Sequence, residues 1–263
     1  MINYKLLCKD SSKPPNMVEQ VLGHPNNRKK YIELGVFNEH RFCFYLWAKW
    51  KKELDFSPDL ISFDWHQDFL YPSANEKKEL ELINLQNLSE ISFFSWARLN
   101  PTNDNHISSA TYLNLLNDIW VVCKQDFESE TDVLIDFNGE KHLIHKFKTD
   151  EELFKRISEE SINGIFFDID LDYFTIENST SNDKEYYTYI DNKEINRIFS
   201  IESDLIKWIF NRIYGITIAL EPEHTGGISK SMELLSQLEK LWFINSIGKS
   251  NCKWLTFDKQ NQE

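Results

Sequence analysis

The sequence predicts an α/β protein: three layers, α/β/α, with a mainly parallel sheet in the middle. Three observations carry this. Short, nearly all-apolar runs ("DLIS", "GIFF", "ITIAL") recur along the chain, as expected of strands covered on both faces. Segments with helical spacing of apolar residues lie between them, the alternation that builds parallel sheets. Several apolar runs end abruptly in carboxylates or imidazoles, and such sheets bind ligands beyond the carboxyl ends of their strands.

The elements follow in order. "INYKLL" (2–7) and "YIELGVF" (31–37) read as strands, and the aromatic "RFCFYLWAKWKKEL" (41–54) as a helix buried on one face. "DLISFDW" (59–65) is a strand and "ANEKKELELINLQ" (74–86) a charged, exposed helix. "EISFFSWARL" (90–99) and "DIWVVCK" (118–124) read as strands, with a helix at 108–117 between them. "TDVLIDFNGEKHLIHKF" (131–147) is a hairpin turning at Asn138–Gly139. A helix at 150–159 leads to "INGIFFDIDLDYF" (162–174), a buried strand ending in acid. The polar stretch 179–192 is a loop, a candidate rim or lid. Helical spacing from Ile195 through Phe210 predicts a helix over 193–213. "GITIAL" (215–220) is a strand, "EPEHTGG" a loop, and 228–244 an amphipathic helix.

No internal repeat or Pro/Gly-rich linker divides the 263 residues, so positions 1–263 are expected to form a single domain. The net charge of −13 argues against nucleic acid, whose phosphates demand a basic face, and suits a cationic substrate or bound metal. No apolar run reaches the ~18 residues of a membrane span, and the start lacks the apolar core of a signal peptide. The four cysteines are widely spaced, unlike a zinc knuckle or disulfide framework. A reduced, cytoplasmic protein is the expectation.

The chemistry-bearing residues fall just after apolar runs: His40, then Asp64, His66 and Asp68, then Asp168, Asp170 and Asp172, then Glu221 and Glu223. A solvated strand end accounts for any one of them; four strand ends together point to a site. In "DWHQD" an extended chain places Asp64, His66 and Asp68 on one side, and "DIDLD" does the same for its three aspartates. Carboxylates gathered in this way repel one another unless a cation compensates them. Oxygen and imidazole ligands without cysteine suit a hard divalent ion, Mn²⁺ or Mg²⁺, and the ligand number exceeds what one ion needs.

"DWHQD" resembles the D-x-H-x-D motif of the arginase/agmatinase group, the binuclear-manganese ureohydrolases, and "FFDIDLDYF" is similar to that group's second metal motif. His40 in "FNEHRFCFYLW" stands where the group has its first histidine ligand, and with "EPEHTGG" the resemblance extends to about position 227. The glycines of the group's G-G-D-H turn and its Asp-Pro after the second motif are absent. These phrases are most similar to a divergent branch that includes peptide arginases. The resemblance implies two Mn²⁺ ions, one held by His40, Asp64, Asp68 and Asp168, the other by His66, Asp64, Asp168 and Asp170. It implies hydrolysis of arginine to ornithine and urea, with an arginine-containing peptide, such as a ribosomal precursor peptide, as partner. Asp68 would also relay a proton. Glu223, in preference to Glu221, would pair with the guanidinium; Asp172 is a candidate contact to substrate backbone. His106 and His224 are candidate proton shuttles, while His24, His142 and His145 read as structural. The alternatives are a single-zinc deacetylase-like amidohydrolase, a non-catalytic metal-stabilised binding protein and, last, a two-metal phosphoesterase.

Overall fold

A computed structural model of the protein describes residues 13–181 and 184–255. The strand expected at 2–7 lies outside the described residues. The strands are β1 (Val18–His24), β2 (Asn27–Phe37), β3 (Asp59–Asp64), β4 (Ile119–Cys123), β5 (Thr131–Ile135), β6 (Lys141–Phe147), β7 (Ile165–Asp170), β8 (Thr175–Ser181), β9 (Lys184–Tyr189) and β10 (Ile213–Ala219). Eight of them form one sheet in the order β1-β2-β10-β7-β3-β4-β6-β5. The six inner strands run parallel, and β1 and β5 close the edges antiparallel as hairpin partners of β2 and β6. Gly139, with φ of 86°, takes the left-handed position at the β5–β6 turn.

Helices cover both faces. On one lie α1 (Cys43–Lys51), α2 (Ala74–Glu81), α3 (Leu88–Ala97) and α4 (His106–Tyr112). Their apolar side chains meet Phe37, Leu60, Ile119 and Phe166 of the sheet. On the other lie α5 (Asp150–Ile157), α6 (Asn192–Phe199), α7 (Asp204–Phe210) and α9 (Ile228–Trp242), against Phe63, Phe167, Ile169, Ile216 and Ile218. The one-turn helix α8 (Pro222–Thr225) precedes α9. This is the expected three-layer α/β/α architecture with a mainly parallel sheet. No helix among the described residues is long and apolar enough to cross a membrane.

Three local expectations are corrected. Most of 90–99, rich in strand-favouring side chains, belongs to helix α3, which ends at Ala97: Asn87 caps it by accepting from the Ser89 N–H, and Ile91, Ser92, Phe94 and Ser95 form its buried stripe. The helix expected over 193–213 is two. Ser200 is extended (ψ 139°), and Ser203 starts α7 by accepting from the Ile206 N–H. The stretch 179–192 is largely not a loop but pairs as the antiparallel β8–β9 hairpin.

Candidate metal centre

On the α1 face of the sheet, side chains two residues apart form rows across the strands. Pairing aligns Ser62 of β3, Asp168 of β7, Thr217 of β10 and Gly35 of β2 in one row. Asp64 and Asp170 stand one row higher, at the carboxyl edge. Helix α1 lies close over β2 and β10 because Gly35 and Gly215 have no Cβ. One at Gly35 would sit 2.1 Å from Leu46 Cδ1, and one at Gly215 2.4 Å from the Trp50 ring. This closeness brings His40, in the 3₁₀ turn His40–Phe42 ahead of α1, over both rows.

His40 is fully buried and touches a carboxylate with each ring nitrogen. Nε2 lies 2.8 Å from Asp168 Oδ2. Nδ1 lies 3.1 Å from Asp68 Oδ2, 3.1 Å from Asp170 Oδ2 and 3.4 Å from Asp64 Oδ2. A second group shares Asp64: His66 Nδ1 is 2.9 Å from Asp172 Oδ2 and 3.8 Å from Asp64 Oδ1.

The convergence is reached by turns, not by the extended chain expected from the motifs. β3 ends at Asp64, whose Oδ1 accepts from the His66 N–H at 2.7 Å, and Asp68 is left-handed with φ of 54°. An aspartate tolerates that conformation because its short side chain bonds locally. Likewise β7 ends at Asp170, which accepts from the Asp172 N–H and opens the 3₁₀ turn Leu171–Phe174. That turn swings Asp172 toward His66, where its Oδ1 accepts from the Trp65 N–H at 3.0 Å.

The upper row is therefore Asp64, Asp68, Asp170 and Asp172 with His40 and His66. Asp168 lies a row below, enclosed by Ser62, Thr217 and His40 Nε2. The resemblance implies Asp168 and Asp170 as ligands; in the fold Asp168 lies inside the sheet, and the side-chain groups able to hold an ion include Asp170 and Asp172. Of the two glutamates, Glu221 is buried against the cluster and Glu223 is exposed. Glu221 Oε1 accepts from the His40 backbone N–H at 3.1 Å and from Asn103 Nδ2 at 2.5 Å.

Three groups of these side chains, His40/Asp64/Asp68, Asp64/His66/Asp172 and Asp170/Asp172/Glu221, each offer ligand atoms lying within 4.8 Å of one another. The donor set fits divalent ions. His40 Nδ1, Asp64 Oδ2 and Asp172 Oδ2 are buried without a hydrogen-bond partner, an arrangement proteins avoid unless something else satisfies them. Asp172 Oδ2 has the His66 ring, with Nδ1 2.9 Å away, as its charged neighbour. Separations of 3.1–3.4 Å suit neighbouring ligands around one octahedral ion, whose bonds of about 2.1 Å place cis ligands about 3 Å apart.

The electrostatics agree. Burial, then neighbouring carboxylates, pushes Asp64 up and holds Asp68 and Asp170 well above the ordinary carboxylate range. Burial disfavours charge on His66, but Asp172, with Asp64 and Asp68, raises it to about 9. Buried anions in this number require compensation.

His224, half exposed, stands 5.5 Å ring to ring from His66, its Nε2 3.9 Å from Glu221 Oε2. His106 is buried behind His40, 4.2 Å ring to ring, and its Nδ1 contacts the Asn103 carbonyl at 3.0 Å. Burial and then His40 hold it well below the ordinary histidine range. It lines neither cavity at the cluster. One, about 550 Å³, includes Trp65, Lys124, Asp126, Asp172 and Ile176. The other, about 500 Å³, includes Asp68, Leu70, Asn103, Asp104, Asp132 and Glu221. His66, Gln125 and His224 belong to both.

Asn103, Ser62, Thr217 and Lys124 also reach the cluster, with no motif in the sequence to mark them. Lys124 follows the apolar run of β4, the signal used for the other strand ends. Its ammonium donates to the Tyr173 and Thr175 carbonyls, and burial lowers it to about 8. No family model and no curated protein matches the chain.

Proposed function

We propose that the protein is an arginase-like hydrolase. It would cleave the guanidine group of arginine residues within a peptide, giving ornithine and urea, with two divalent ions, Mn²⁺ foremost. The observation that supports this best is the double convergence on Asp64. Asp64 groups on one side with His40 and Asp68 and on the other with His66 and Asp172, while Asp170 reaches the same His40 Nδ1 at 3.1 Å. His40, Asp64, Asp68 and Asp170 would hold one ion, and His66, Asp64 and Asp172 the second. Bound divalent ions supply Lewis acidity and lower the pKa of water enough to furnish a nucleophile near neutral pH.

The remaining roles fall to the chain's own side chains. Glu221 offers a buried carboxylate, matched to a planar guanidinium, with Oε1 already fixed and Oε2 toward His224. As the Cζ–Nε bond of arginine breaks, the water oxygen stays on urea and the leaving nitrogen takes a proton. His224, at the junction of the two cavities, is the imidazole placed to deliver it. Peptidyl arginine is favoured over free arginine by the lining. Among the described residues no arginine lines either cavity, and the one lysine that does, Lys124, is engaged by two backbone carbonyls. A free α-carboxylate would meet Asp104, Asp126 and Asp132 instead.

The test is incubation of Mn²⁺-loaded protein with an arginine-containing peptide and with free arginine, reading urea and ornithine by mass spectrometry, alongside a metal count. Urea from the peptide and two ions per chain are expected. No urea from either substrate refutes the hydrolase, and one zinc per chain favours the single-zinc amidohydrolase.

A further inference from the structure

The row beneath the metal-facing carboxylates is used by no step of the proposed reaction, yet it is the most completely hydrogen-bonded part of the centre. Ser62, Asp168 and Thr217 are all fully buried. Thr217 donates to Asp168 Oδ1 at 2.5 Å and Ser62 to Oδ2 at 2.8 Å. Strand pairing sets both contacts, since Ser62 and Thr217 are the direct neighbours of Asp168 on β3 and β10. Two hydroxyl donors satisfy a carboxylate that would otherwise be prohibitively costly to bury. They also leave it as an acceptor toward its third neighbour, His40 Nε2, 2.8 Å away. In a neutral imidazole only one nitrogen bears hydrogen. With that hydrogen directed to Asp168, the lone pair lies on Nδ1, the atom turned to Asp64, Asp68 and Asp170 without a hydrogen-bond partner.

We infer that Asp168 is a positioning residue and not a metal ligand: the Ser62–Asp168–Thr217 row fixes the proton of His40 on Nε2 and so presents Nδ1 to the first ion. The inference rests on the metal-centre reading above. It separates this aspartate from Asp170, two residues on, although both belong to one D-x-D-x-D segment. A carboxylate behind a ligating histidine orients the ring and raises its basicity, and its loss weakens metal binding without deleting the site.

The test uses Asp168→Asn and the double variant Ser62→Ala/Thr217→Val, with metal content and Mn²⁺ affinity measured by competition with a chelator. Both variants are expected to bind two ions at saturation, with one ion weakened about 10- to 100-fold and the other little changed. In the diamagnetic Zn²⁺-loaded wild type, nitrogen NMR should show His40 bearing its hydrogen on Nε2. If Asp168→Asn folds but saturates below two ions, Asp168 is a ligand and the inference fails while the metal centre stands. Unchanged affinity in the double variant, or hydrogen on Nδ1, also overturns it. Should Asp168→Asn not fold, the double variant and the NMR still decide. Wild-type protein that takes up no metal fails the underlying reading instead.

Discussion

The backbone N–H of His40 donates to Oε1 of Glu221 across 181 positions of chain, tying the turn after β2 to the turn after β10. Glu221 reaches it from a left-handed conformation, φ 36° and ψ 65°, unusual for a residue with a Cβ and held by the bonds around it. Burial pushes its carboxyl from 4.5 up to about 7, against the pull of His40. Glu221→Gln keeps the acceptor for His40 and Asn103 but removes the charge that would meet a guanidinium. Turnover of an arginine peptide should fall about 10- to 100-fold, the worth of one charge-assisted hydrogen bond, with metal content unchanged.

The same substitution has a sign in stability. A carboxyl whose folded pKa is raised stabilises the fold below its unfolded pKa and loses that contribution as pH rises through the folded one. Metal-free wild type should therefore weaken relative to Glu221→Gln between about pH 4.5 and pH 7. Above that window the gap should have moved in the variant's favour by about 3 kcal/mol. Urea unfolding at pH 5 and pH 8 reads the difference; equal gaps at both would sink the argument.

If the cluster takes up metal as proposed, His66 contributes a pH dependence to that uptake. With burial opposing charge and Asp172 favouring it, the metal-free ring holds its proton up to about pH 9. A metal needs the neutral ring, so binding must displace that proton. Affinity for the ion at His66 should rise with pH toward 9, about tenfold per unit from this group. Calorimetry in buffers of different ionisation enthalpy counts the protons released. In the metal-free protein the linkage has the opposite consequence: the His66–Asp172 contact stabilises fully below pH 6.5 and fades as pH rises through 9. Asp172→Asn should flatten both slopes.

That the aspartates and histidines of the centre would gather was legible in the sequence because each follows an apolar strand. Their ranks were not, because pattern alone does not say where a strand ends. "DIDLD" read as extended gives three equivalent carboxylates. In the fold the strand stops at Asp170, which leaves Asp168 inside the sheet and turns Asp172 across to His66. Ser62 and Thr217 carried a legible signal, a hydroxyl inside an otherwise apolar strand, but their purpose needs the pairing of β3, β7 and β10. The preference for Glu223 over Glu221 had no burial to guide it. Helix α3 looks like a strand in sequence because its phenylalanines and Trp96 hide a three- and four-residue spacing.

The two groups around Asp64 should separate by substitution. His66→Ala removes a ligand from one group and Asp172→Ala from that group and from the Asp170/Glu221 one, while both leave His40, Asp64 and Asp68 intact, so one ion should remain. Asp68→Ala should lose the other ion and spare the one at His66. Asp64→Ala, which serves both, should lose both. Elemental analysis after dialysis counts the ions. Two ions retained in Asp172→Ala would mean that this aspartate is not a ligand.

Gly226 links the hairpin to the site. It lies at φ 89°, and a Cβ there would sit 2.5 Å from the Tyr189 hydroxyl. That hydroxyl donates to the Thr225 carbonyl at 3.0 Å, and Tyr187 donates to the Glu223 carbonyl at 2.8 Å. Two tyrosines thus pin β9 to α8, the short helix that carries His224 and follows Glu221. Gly226→Ala adds a left-handed penalty and displaces Tyr189, for an expected loss of about 1–3 kcal/mol. Tyr189→Phe, which keeps the glycine, should lose about 1 kcal/mol, the worth of one hydrogen bond. If the clamp aims α8 at the cluster, KM for an arginine peptide should rise more in Gly226→Ala than in Tyr189→Phe, with metal content constant in both. An unchanged KM in Gly226→Ala, with the loss of stability still present, would confine the clamp to folding.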